Sequence, residues 1–143
     1  MKKITPILLI GVFILILSSC SSEVKKGNAN RFKIGVFEIP AGDSYSKTTI
    51  TRKDSLQIEE YTKFVEISTD SIVKRKEIKR IDTLYITWKN NFFYTLKMKS
   101  PKNALDNDLI TVQITKVTKN SYSFTAKIGH SKFKQDGIVY KIK

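Results

Sequence analysis

A two-residue period of apolar side chains recurs along this chain in short runs cut by turn residues, and it constrains the fold more than any other feature. The clearest block runs from Ile81 to Met98. Leu84, Ile86 and Trp88 share one face, with Tyr85 and Thr87 on the other. Lys89-Asn90-Asn91 supplies turn chemistry, because asparagine tolerates positive φ. Phe92, Tyr94, Leu96 and Met98 then alternate with Phe93, Thr95 and Lys97. The block reads as a hairpin with one apolar face.

Similar runs lie on both sides. Arg31 to Ile39 is a strand candidate, with Phe32, Ile34 and Val36 alternating against Lys33, Gly35 and Phe37. Gly35 inside it suggests a bulge or a close backbone approach. Thr48 to Arg52 is rich in β-branched residues. Lys53-Asp54 then reads as a hairpin turn, returning through Ser55 to Tyr61 with Leu56 and Ile58 on one face. Phe64, Val65 and Ile67 extend the sheet. Thr69 to Arg80 fixes no period and reads as a hairpin or one helical turn. Asn103 to Asp108 is a polar loop with room for a single helical turn. Ile110, Val112 and Ile114 share a face, Lys119-Asn120 is a two-residue turn candidate, and Tyr122, Phe124, Ala126 and Ile128 share the next face. After a turn at Gly129 to Ser131, Phe133 opens a last strand. It is interrupted near Asp136-Gly137 and ends with Ile138, Tyr140 and Ile142 alternating against Val139 and Lys141.

The expectation is an all-β domain of about seven to nine short strands with no long helix. Consecutive hairpins favour an antiparallel meander, and such a meander manages its edges by curling into a barrel or half-barrel. A β-sandwich is the alternative. The order resembles small lipocalin-like lipoproteins: an early Gly-x-Phe (Gly35, Phe37), a hairpin with charged outer faces, a central Trp strand, then further hairpins. The Gly-x-Phe stands where lipocalins usually carry Gly-x-Trp.

The amino terminus carries a separate signal. Lys2 and Lys3 precede an apolar run from Ile7 to Leu17, and small residues lead into Cys20, the only cysteine. The run is short for a bilayer span, which needs ~20 apolar residues. Its layout is that of a secretory signal, although an uncleaved anchor helix is an alternative. Leu17-Ser18-Ser19-Cys20 resembles the lipobox of bacterial lipoproteins. The resemblance implies a diacylglyceryl group on the Cys20 sulfur and cleavage before Cys20, leaving a membrane-tethered, exported chain. Several acyl chains anchor stably where one holds weakly. Ser21, rather than an aspartate, implies sorting to the outer membrane, at its periplasmic face or the cell surface. The expected organisation is a signal peptide at 1–19, a lipidated flexible tether at 20–30, and a single β domain at 31–143.

Twenty-six lysines and arginines against 13 acids give a formal charge of +13. Such a charge suits anionic lipid, glycolipid or polymer, and export makes nucleic acid a poor partner. The alternative is that lysines solvate strand faces and blunt sheet edges. Lys74, Arg75, Lys76, Lys79 and Arg80 form the densest cluster.

Catalytic patterns are missing from the sequence. His130 is the only histidine and reads as a turn residue. With Cys20 lipidated, no thiol is left for a metal site. Asp106 and Asp108 lack the spacing of a calcium loop. Glu59 and Glu60 are adjacent, hence on opposite strand faces. No Gly-x-Ser-x-Gly elbow or phosphate loop occurs. The expectation is a non-enzymatic protein with no cofactor and no metal. Trp88, Phe92, Tyr94, Tyr122 and Phe124 belong to the expected inward faces. They would line a pocket for a small apolar or lipidic ligand if the barrel is open, and would be core if it is filled. Two functions follow: a membrane-tethered binding module, or an envelope interaction protein that uses its basic surface.

Overall fold

β-Branched and aromatic runs form strands wherever turn residues bound them. The structure, a computed structural model, describes residues 29–69 and 72–143. Eight strands follow in order: β1 (Gly35–Ile39), β2 (Thr48–Lys53), β3 (Leu56–Thr69), β4 (Ile72–Asn90), β5 (Phe93–Met98), β6 (Ile110–Val117), β7 (Ser121–Ile128) and β8 (Lys134–Lys141). Ala29–Phe32 and Leu105–Asn107 form short 3-10 turns. Every strand pairs antiparallel with its sequence neighbours, and β8 returns to β1. The domain is therefore an all-β closed meander barrel, consistent with the lipocalin-like expectation. Closure also rules out the sandwich, since no edge separates two sheets. The core and the closing seam lie within the described residues, so this segment carries its own fold.

The seam depends on Gly35. Val36 N–H donates to the Lys143 carbonyl at 2.9 Å, and Ile142 N–H to the Val36 carbonyl at 2.8 Å. Gly35 has φ 132°, and a Cβ there would lie 2.3 Å from the Lys143 oxygen. The glycine thus marks a close backbone approach, one of its two expected roles.

Three local expectations change. Phe32 is not on β1. It sits in the Ala29–Phe32 turn, fully buried, and Phe37 takes the inward position on the strand. The β2–β3 turn lies one residue later than expected, because Lys53 pairs with Leu56 and Asp54 takes φ 56°. A one-residue shift flips a strand's faces. Gln57 is therefore buried, while Leu56 and Ile58 lie on the outward side. In the last strand, Val139 is the buried residue, and Ile138, Tyr140 and Ile142 are exposed. That strand runs unbroken from Lys134 to Lys141, with Phe133 exposed ahead of it. Gly137 does not interrupt it. A Cβ at Gly137 would lie 2.6 Å from the Phe124 ring, so the glycine makes room for that ring inside.

The segment from Thr69 to Arg80 resolves as a hairpin. β3 and β4 are 14 and 19 residues long, far longer than their neighbours, so their outer halves pair only with each other. The Leu105–Asn107 turn lies in the expected polar loop, and His130 lies exposed in the β7–β8 turn.

Candidate functional site

The barrel interior divides into a filled end and an open end. The filled end is built around Arg52, which β2 points inward in step with Thr48 and Ile50. Its side chain is 1 % exposed. The guanidinium donates to the Gln57 Oε1 at 2.7 Å, the Phe32 carbonyl at 2.8 Å, the Tyr94 hydroxyl at 2.9 Å and the Tyr122 hydroxyl at 2.7 Å. It also lies 5.0 Å from the Phe37 ring centroid and 5.7 Å from that of Trp88. Burial opposes its charge, but Tyr94 and Tyr122 outweigh that effect and hold its pKa above the ordinary value. Burial lifts the Tyr94 hydroxyl well above the phenol range, despite the cation beside it. The Ala29–Phe32 turn caps this end, with the Phe32 ring edge-on to Tyr122 at 5.0 Å.

Beyond Tyr94 the interior opens into a cavity of about 290 Å³. Ile39, Ile50, Leu96, Val112, Phe124 and Val139 supply much of its apolar wall, and Gln57, Glu59, Tyr61, Tyr45 and Gln135 supply polar groups. Glu59 is joined to Arg52 through one amide: Gln57 Nε2 donates to Glu59 Oε1 at 2.5 Å, while Gln57 Oε1 accepts from Arg52. Burial raises the Glu59 pKa against the lowering by Gln57 and Arg52, and nearby Asp82 raises it further.

Asp82 stands directly opposite Glu59 in the β3–β4 ladder. It is nevertheless held ionised. It is 4 % exposed and accepts from Lys102 Nζ at 2.8 Å, Tyr61 Oη at 2.9 Å and Arg80 Nη2 at 3.1 Å. Burial works against its charge, and these three donors overcome it and lower its pKa. Tyr61 is pushed up to about 12, first by burial and then by its bond to Asp82. The two facing carboxylates are therefore driven apart in acidity by unequal partners.

The five aromatics picked from the sequence fall in different places. Tyr94 and Phe124 line the cavity. Trp88 and Tyr122 pack around Arg52 in the filled end. Phe92 lies in the β4–β5 turn, against the core and beside a separate hollow with Gln113 and Val117. The five basic residues all lie on β4, and the pleat divides them. Lys74 and Lys76 share a face with Lys63, Val65, Ile67 and Ile78, with no acid among them, and Arg80 continues that face to Asp82, with which it pairs. Arg75 and Lys79 share the other face with Glu60, Glu66 and Glu77, and the Arg75 guanidinium stacks 3.7 Å from the Phe64 ring centroid. Cys20 and the apolar run before it lie outside the described residues.

Arg52, Gln57, Glu59, Tyr61 and Asp82 were not singled out as site residues from the sequence. A signal for Arg52 was present, since it continues the inward phase of Thr48 and Ile50. Asp82 likewise continues the phase of Leu84 and Ile86. Among the described residues no cluster of three His, Cys, Asp or Glu side chains is placed to hold a metal ion, and no helix is long and apolar enough to cross a membrane. No family model, curated protein or solved structure matches the chain.

Proposed function

We propose that this chain is a membrane-tethered envelope lipoprotein whose barrel binds a small, largely apolar ligand. The observation that carries the reading is the half-filled interior. A polar plug closes one end, and an apolar-walled cavity with a few convergent polar groups occupies the other, the arrangement typical of small-molecule sites. The lipobox resemblance at Leu17 to Cys20 supports the tether, and Ser21 after it supports an outer-membrane address. Ala29 enters the barrel at the plugged end.

The test is native mass spectrometry of residues 21–143 purified from the protein's own host. A co-purifying small molecule is the expected result. A bare mass, with no gain in melting temperature across a panel of lipids and apolar metabolites, would reject the reading.

A second reading draws on the acid-free ribbon face of Lys63, Lys74 and Lys76: an interaction surface for an anionic envelope component. Replacing Lys63, Lys74 and Lys76 with glutamine should then weaken retention on anionic envelope material in a salt-sensitive way. The same change at Arg75 and Lys79, whose face carries glutamates, should matter less.

A further inference from the structure

We propose that the cavity selects an apolar molecule bearing a cationic amine, with the Glu59 carboxylate as its counter-ion. This deepens the ligand-binding reading and rests on it. The cavity wall contains no lysine, arginine or histidine, and Glu59 is the carboxylate whose strand phase points it inward. Asp136 borders the cavity but is out of phase with the inward Gly137 and Val139, and its exposed carboxylate accepts from Thr125 Oγ1 on the outer face. Glu59 has one donor, the Gln57 amide, and that amide stands between it and Arg52. The guanidinium itself is engaged by Gln57, Phe32, Tyr94 and Tyr122. Asp82, across the ladder, already has Arg80, Lys102 and Tyr61. Glu59 is thus the carboxylate of the pair that lacks a direct cation.

An incoming ammonium would supply that cation in a site of low dielectric, where charge-assisted bonds are strong. A ligand carboxylate would instead place another anion beside Glu59 and Asp82. The volume of about 290 Å³ is at the lower end of ligand pockets, roughly 300–1,000 Å³. It suits a short alkyl chain or a single ring system.

The pH dependence follows. Groups around Glu59 are Arg52 on β2, Tyr61 on β3, Asp82 with Arg80 on β4, Lys102 acting through Asp82, and Tyr45 from the β1–β2 loop. A primary amine stays protonated to about pH 10, so loss of binding on acidification reports Glu59. Its raised pKa places that loss above the ordinary glutamate range.

The experiment is calorimetric titration of residues 21–143 with n-octylammonium, 1-octanol and octanoate at several pH values. Octylammonium should bind about tenfold or more tighter than octanol, octanoate weakest, and acidification should erase the amine's advantage. Glu59→Gln should also erase that advantage, so that octylammonium and octanol bind within about threefold of each other. If octanoate binds as well as octylammonium, or if Glu59→Gln keeps the amine preference, the amine proposal fails while the binding reading stands. Uptake of none of the three probes removes both.

Discussion

Arg52 joins η1 (Ala29–Phe32), β2, β3, β5 and β7 through one guanidinium. Removing a buried, fully bonded cation leaves its partners unsatisfied, which costs more than the lost bonds themselves. Arg52→Met should destabilise the barrel by about 3–5 kcal/mol, read as a lower urea midpoint. Arg52→Lys should fall between, because an ammonium lacks the planar fork that reaches four acceptors. Glu59 carries the opposite sign. Its folded pKa is raised, so its ionisation favours the unfolded chain. Stability should decline as pH rises from about 4.3, the unfolded value, through the folded pKa, and then level off. Glu59→Gln should remove that decline and make the protein more stable at neutral pH, with little difference at pH 3. Asp82 behaves conversely. Its folded pKa is lowered, so it stabilises above about pH 3.9 and the contribution disappears as pH falls through the depressed value. Asp82→Asn should cost about 1–3 kcal/mol at pH 7 and almost nothing in strong acid. Thermal melts across this pH range check both variants.

At the scale of elements, the β3–β4 ribbon differs from the rest of the sheet. Phe64 N–H still reaches the Ser44 carbonyl. Beyond it, Val65 pairs with Lys76, Ile67 with Lys74 and Ser68 with Val73, with no third strand. Ile67, Ile72 and Val73 are exposed. Two strands alone are marginal in water. Amides of this outer ribbon should exchange with solvent far faster than those of β5 to β7. Replacing residues 65–76 by an Asn-Gly turn should leave a folded barrel with a melting temperature within about 5 °C of the parent. A collapse of the fold on that excision would mean that the ribbon supports the barrel. This element was only half legible. Ile72, Val73 and Ile78 set no period because neither face of the ribbon is buried, and periodicity records burial.

For the whole molecule, closure is the decisive event. The seam between β1 and β8 joins residues about one hundred positions apart, so it depends on every intervening hairpin being in register. Gly35→Ala meets both a positive φ and the Lys143 carbonyl. It should cost about 1–3 kcal/mol and open the seam before the hairpins, seen as early exchange of the Val36 and Ile142 amides. By itself the sequence determined the strand-turn alternation, the hairpin of β4 and β5, and the inward faces of β6 and β7, because those depend on neighbours along the chain. It also supplied the lipobox resemblance. Only the tertiary structure decided that the barrel closes, which end is filled, that Gln57 and Glu59 face inward, and which partners meet the buried charges of Arg52 and Asp82. Local hydrophobicity assigns charged side chains to the outside. Their burial becomes tolerable only when distant strands bring Tyr94, Tyr122, Tyr61 and Lys102 within hydrogen-bond reach.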